Sequence, residues 1–394
     1  MLTGLGQTTQ PSRFEKEANK RAGSFFVAYL LAELQQPVFS SQNGLLFIYA
    51  KRGWIVLLKK ETRGKYYIAV FAALFLVVFV ASFAVGKFPI SPGELLRVFF
   101  GKLTNAPQTW SSEAELVIFR IRLPRVLAGA MIGAGLSVAG ASFQGLFRNP
   151  LVSPDVLGAS AGAGFGASLA FLLGIGYVMV SASAFIFGVL AVGTAYLIST
   201  RARRNTTLGM VLAGIMISSL FTSGTSFIKL IADPTNVLPS ITFWLMGSIS
   251  GVREDKLIWA AIPILGGMAV LYVLRWKLNL LATGEEEARS MGMNTKVMRI
   301  VVVISATLIT SACVAISGLI QWVGLVIPHF ARMVVGHDYR VMLPVSMFMG
   351  ASFLMLVDIL ARSVATAEIP LGILTALVGA PFFLYLILER GNRM

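Results

Sequence analysis

Apolar residues run along this chain in long, nearly uncharged stretches, without the short alternations of a water-soluble core. Ten such stretches, at 66–86, 126–146, 157–175, 181–200, 208–231, 256–275, 298–317, 319–335, 342–361 and 370–388, predict transmembrane helices. Most are long enough to cross about 30 Å of hydrocarbon as a helix. Within two of them a second period appears. Gly129, Gly133, Ser137, Ala141 and Gly145 recur every fourth residue, as do Gly158, Gly162, Gly166 and Ala170. In water this much glycine would cost a helix about 1 kcal/mol per residue. In lipid a stripe of small residues lets two backbones pack closely. The segment Arg122 to Gly166 therefore reads as a tightly packed membrane hairpin, turned at Pro150 and Pro154.

Composition agrees: 56% of residues are hydrophobic and 13% charged, and the mean hydropathy is +0.78. Such a chain is an all-α, polytopic membrane protein. The net charge of +15 would point a soluble protein toward nucleic acid, but here most Lys and Arg fall in short loops between spans, the positive-inside pattern. With both termini in the cytoplasm, the inner loops carry Arg148, the run Arg201 to Arg204, Arg275, Lys277, Arg289, Lys296, Arg299 and Arg340. The loop 87–125 then falls outside, yet it carries Lys87, Arg97, Lys102, Arg120, Arg122 and Arg125, and Arg362 joins it from the ninth span. Cations on that side are placed to receive an acidic partner, or belong to a loop indifferent to the charge rule. Asp358 and Arg362, four apart, form a local ion pair on one helix face.

Before the first span, residues 1–65 make an N-terminal cytoplasmic extension to the transmembrane body of 66–394. Lys51 and Arg52 break its apolar run too early for a membrane crossing; an interfacial segment and an unstructured one both fit. No cleavable leader is evident. Pro328 is expected to kink or break its span. The segment Ala282 to Asn294, ATGEEEARSMGMN, reads as two short helices joined at Gly292, forming a knob that could fit a cleft on a cytoplasmic protein.

Cys313, His329 and His337 give neither a disulfide framework nor a metal cluster. There is no GxxxxGK[ST] loop, no HExxH and no GxSxG, so neither nucleotide hydrolysis nor another covalent chemistry has residues to carry it. An ion-coupled secondary transporter is the alternative; it would normally hold an acid in mid-membrane, whereas Asp155 and Asp358 lie near span ends.

RLPR at Arg122, GLFRNPLVSPDVLGASAGA from Gly145, GEEEARSMG from Gly284, GLVIPHFARMVVGHDYRVMLP from Gly324, DILAR at Asp358 and EIPLGILTALVGAPFF from Glu368 cover most of residues 66–394. In these motifs the chain resembles the permease subunits of type II ABC importers for iron-siderophore complexes, haem and vitamin B12. The resemblance implies ten spans, a second permease subunit as homodimer or related heterodimer, two ATP-binding subunits that hold ATP and Mg, and an extracytoplasmic substrate-binding protein. No cofactor is expected in this chain, and the location implied is a prokaryotic plasma membrane. Residue by residue, it places docking of the binding protein on Arg122, Arg125 and Arg362. The ATPase coupling loop falls on Gly284, Glu285, Ala288, Arg289 and Gly292, and the cytoplasmic gate on Asn149, Thr206 and Thr207. A ferric siderophore is the first expectation for cargo, then haem or cobalamin. The extension of about sixty residues departs from the family pattern.

Overall fold

In the computed structural model the described residues are 39–42, 45–50, 53–57, 60–88, 90–104, 107–201 and 206–391. Of the extension, residues 1–38 lie outside them. Three short strands, β1 (Phe39–Gln42), β2 (Leu45–Ala50) and β3 (Gly53–Leu57), pair as an antiparallel meander in which Ala50 faces Gly53. The membrane body that follows is all-α.

Its first helix, α1 (Lys60–Ala84), is followed by α2 (Pro92–Thr104) on the loop before the second span. A short α3 (Ser112–Leu116) then runs through six π-helical residues, Val117–Arg122, into α4 (Leu123–Leu146). Pro124 has no N–H to give the carbonyl of Arg120, and just upstream the ladder widens, with Leu123 N–H bonded to Ile118 O. The remaining helices are α5 (Ala159–Leu172), α6 (Tyr177–Arg201), α7 (Thr206–Ile231), α8 (Val237–Met246), α9 (Glu254–Val273), α10 (Arg275–Thr283), α11 (Glu285–Ser290), α12 (Thr295–Ser317), α13 (Val323–Val335), α14 (Tyr339–Ser363) and α15 (Leu371–Gly391).

Every predicted span contains a helix. Among the described residues seven helical runs are long and apolar enough to cross a membrane, and α5, α8, α13 and α15 are shorter apolar pieces. Sequence reading missed α8, because ten residues with Pro239 inside look like loop; burial of Ile241 and Trp244 holds it in place.

The bundle is built around α4. Its apolar window is 83% buried, against 17% for α1, which fixes α4 as the central helix and leaves α1 facing lipid. The small-residue stripes point into helix contacts. A β-carbon on Gly133 would lie 2.2 Å from Gly350 O of α14, and one on Gly162 would lie 2.4 Å from Phe187 O of α6. No side chain fits at these crossings, so the helix axes come as close as backbone allows.

Pro328 does not break its helix: α13 runs unbroken from Val323 to Val335. The proline sits early in the helix and deprives only Gly324 O of a donor. The interruption comes before α13, where Gly318 and Trp322 both adopt positive φ, 68° and 71°. The turn 147–158 between α4 and α5 likewise has no regular helix, and its Pro154 packs on Gly324, where a β-carbon would lie 2.4 Å from Pro154 Cγ.

Candidate functional site: outer clasp, coupling segment and inner turn

The arginines singled out in the sequence meet at one end of α4, but facing inward. Arg122, Arg125 and Arg362 are 3%, 7% and 5% exposed. Arg125 Nε donates to Asp358 Oδ1 at 2.8 Å, and its Nη1 donates to Glu368 Oε1 at 2.9 Å. Arg362 Nε lies 3.4 Å from Asp358 Oδ2, and Arg362 Nη2 donates to Ser82 O at 2.7 Å. Arg122 donates to the carbonyls of Phe83 and Phe88. The predicted Asp358–Arg362 pair exists, yet Arg125, far away in sequence, is the closer partner.

Together these bonds clasp the ends of α1, α4 and α14 and the approach to α15. Three cations face two carboxylates here, so the desolvation cost is offset by ion pairs at Arg125 and Arg362 and by backbone carbonyls alone at Arg122. The other outer cations also have acceptors. Lys87 Nζ donates to Thr366 O at 2.6 Å, Lys102 pairs with Glu115 at 2.6 Å, and Arg120 approaches Glu254 at 3.7 Å with 74% of its side chain exposed. Sequence reasoning saw the cations and not the internal acceptors, several of which are backbone carbonyls that leave no mark in composition.

The segment expected to be the coupling loop differs in one respect from its predicted form. Its two short helices, α10 and α11, join at Gly284, while Gly292, at φ 82°, ends α11 before the N-cap Asn294 of α12. Glu285 organises it. Glu285 Oε1 accepts from Arg289 Nη2 and Glu285 Oε2 from Arg299 Nη2, both at 2.6 Å, and Arg289 Nε donates to Thr295 Oγ1 at 3.0 Å. Partial burial alone would raise the Glu285 carboxyl, but hydrogen bonding and charge from Arg299, with Arg289 and Thr295, outweigh it and hold the group below the usual glutamate value. Ala288 is fully buried beneath, and Glu286, Glu287, Ser290 and Met291 are exposed. The result is a rigid knob with a charged outer face.

Asn149, expected at the cytoplasmic gate, is exposed, and its Oδ1 accepts from Leu151 N–H at 2.9 Å, closing a tight turn. Thr206 and Thr207 begin α7; their side chains lie outside the described residues. Gln144, which sequence reading passed over, is 3% exposed and bonded on three sides. A bulky amide in a stretch, Val126 to Leu146, whose other residues are Gly, Ala, Ser or larger apolar ones was the available signal. Asp155, weighed in the sequence as an ion-coupling acid, accepts from Ser160 N–H at 2.6 Å and so finishes the start of α5.

A bundle of membrane-length helices with many close crossings and interrupted helices is that of a transport permease. The FecCD transport family matches residues 74–389, and the chain belongs to that family of ABC importer permeases. It is 38% identical over 321 residues to the molybdate import system permease protein MolB of Haemophilus influenzae, covering 81% of this chain and 95% of that one. It is 39% identical to the cobalamin import system permease protein BtuC of Halobacterium salinarum, over 71% of this chain and 75% of that one. With the iron(3+)-hydroxamate import system permease protein FhuG of Bacillus subtilis the identity is 33%, over 82% and 96%. Among solved structures, one described as an inward-facing conformation of a metal-chelate type ABC transporter matches with a TM-score of 0.73 and 37% identity, over 82% of this chain and 98% of that one.

Proposed function

We propose that this permease imports a bulky metal chelate, a ferric siderophore first and haem or cobalamin next. The observation that supports this is a groove of about 580 Å³ between α8, the 318–322 segment and α15. It is walled by Leu245, Met246, Leu319, Ile373 and Leu377, with the amide of Gln321 as its polar point and no charged side chain in the lining. Such a wall suits a large complex whose metal charge is already shielded by its own ligand. A small oxyanion would need donors or cations to replace its water.

In this reading a second permease subunit faces the groove across the path, homodimeric or closely related. Two ATP-binding subunits carry ATP and Mg and seat on residues 284–292. An external binding protein delivers the cargo to the outer end. There the buried Arg122, Arg125 and Arg362 hold the docking platform in shape, and exposed Arg120 and Arg253 meet the binding protein's carboxylates. Asn149, with Thr206 and Thr207, closes the inner mouth. Alternating access then follows from ATP-driven movement of the coupling segment.

The test is uptake into proteoliposomes holding the permease with its ATP-binding subunits and binding protein. Radiolabelled ferric hydroxamate, haem, cyanocobalamin and molybdate are compared. Uptake of a chelate is expected; ATP-dependent uptake of molybdate alone would reassign the cargo to an oxyanion, the substrate named for the Haemophilus relative.

A further inference from the structure

The inner turn and the coupling segment are fastened to each other through the end of α4. On one side, Gln144 grips the turn: its Nε2 donates to Val152 O at 3.4 Å and to Leu325 O of α13 at 3.2 Å, beside a main-chain bond from Asn149 N–H to Gln144 O at 3.1 Å. Arg332 of α13 donates to Gln144 Oε1 at 2.7 Å, which fixes the orientation of the amide. On the other side, α10 is tied down by Asn279. Its Nδ2 donates to Asp338 Oδ1 and its Oδ1 accepts from Tyr339 N–H, both at 2.8 Å. The Tyr339 hydroxyl then donates to Ala141 O of α4 at 3.1 Å, lying so close to Gly145 that a β-carbon there would be 2.6 Å from the oxygen.

A shorter link runs beside this one. Arg148, held at φ 51°, directs its guanidinium over Gly284, where a β-carbon would stand 3.4 Å from Arg148 Nη1. Gly284 is the joint of α10 and α11 and has φ 149°. The residue next to Asn149 therefore touches the hinge of the coupling segment.

We propose that Gln144 and Asn279 are positioning residues that make the turn 147–152 and the segment 275–292 move as one body, so that the inner mouth follows the ATP-binding subunit directly. This rests on the assignment of 284–292 as the coupling segment. Both side chains act through hydrogen bonds of fixed geometry, and a body tied at several points transmits displacement where a single contact would yield. Neither residue need touch cargo.

The experiment uses the full complex of permease and ATP-binding subunits in nanodiscs, with Asn149→Cys as the reporter; the native Cys313 is fully buried. Maleimide labelling at position 149 is timed without nucleotide and after trapping with MgATP and vanadate. The expected change in rate in the parent is about fivefold or more, the scale of an ordinary coupling energy. Asn279→Ala should bring the two rates together while ATP hydrolysis continues, an outcome that loss of folding would not give. Gln144→Leu should do the same. The exchange Asn279→Asp with Asp338→Asn, which restores a donor and an acceptor in reversed roles, should recover the difference. A parent whose rate responds to nucleotide, alongside Asn279→Ala and Gln144→Leu complexes that respond equally, would overturn the tie and leave the coupling assignment standing. A parent that does not respond would overturn the coupling assignment and the tie with it.

Discussion

Gly140 of α4 lies directly against the carbonyl of Gly324 in α13: a β-carbon on Gly140 would be 1.8 Å from that oxygen. Pro328, four residues after Gly324, has no N–H to offer the same carbonyl. The oxygen freed by the proline thus finds a backbone approach that glycine alone permits, and the contact supplies at most a weak C–H···O interaction. Gly140→Ala should force α4 and α13 apart at a cost of about 1–3 kcal/mol. Thermal melting of the purified permease checks this, with Gly193→Ala as control, since nothing lies within 4 Å of a β-carbon there. Equal melting of the two variants would mean that the crossing is loose.

The outer arginines separate into two kinds by burial. Arg125→Ala takes from Glu368 its ion-pair partner and leaves Asp358 with Arg362 alone; removing one partner of a buried ion pair costs about 3–5 kcal/mol, so lower yield and an earlier melt are expected. Arg120→Glu, at an exposed side chain, should leave melting unchanged and slow association of the binding protein, most at low salt. Association kinetics measured at two salt concentrations for both variants decide between platform and contact.

At Gly292 there is open space around a β-carbon but a φ of 82°. Gly292→Val is therefore penalised by conformation and not by collision, at about 1–2 kcal/mol, which the helix bundle tolerates. The knob would lose its shape while the bundle stays folded. Stimulation of ATP hydrolysis by the binding protein should vanish with permease levels unchanged; stimulation at the parent level would remove Gly292 from the coupling segment.

The carboxyl of Glu285 is depressed because its arginine partners outweigh partial burial. A depressed acid contributes stability that is complete above the ordinary glutamate value of 4.5 and disappears as pH falls through the lower folded value. Hydrogen exchange of residues 285–293, corrected for intrinsic rate, should show protection at neutral pH and its loss in strong acid. Glu285→Gln should exchange quickly at both. A parent whose protection is the same at both pH values would show that the Glu285 cluster does not hold the knob.

What the sequence revealed was governed by local period. The stripes through Gly133 and Gly162 were legible because small residues every fourth position place themselves on one helix face, and that face is buried. The positions of the outer cations were legible from loop charge, but their orientation was not. Arg125 is paired with Asp358 and Glu368 more than 230 residues away, and Arg122 bonds to carbonyls. Pro328 misled for a different reason: it stands inside α13, but its missing N–H costs a single bond, to Gly324 O, and the helix continues through it to Val335. The resemblance picked out Glu285 from its run of three acids, but its bond to Arg299, fourteen residues on, left no mark in the local sequence.

The shortness of α5 has a further consequence. Its 14 residues reach about 21 Å at 1.5 Å each, less than the hydrocarbon of a bilayer, so the irregular turn before it lies at a depth where unpaired amide groups are costly. Pro150 and Pro154 have no N–H, and each therefore subtracts one group that would otherwise call for water in that turn. Pro154 also fills the space above Gly324. Each proline therefore lowers the number of amide groups that the turn leaves to be satisfied beside a helix too short to reach across.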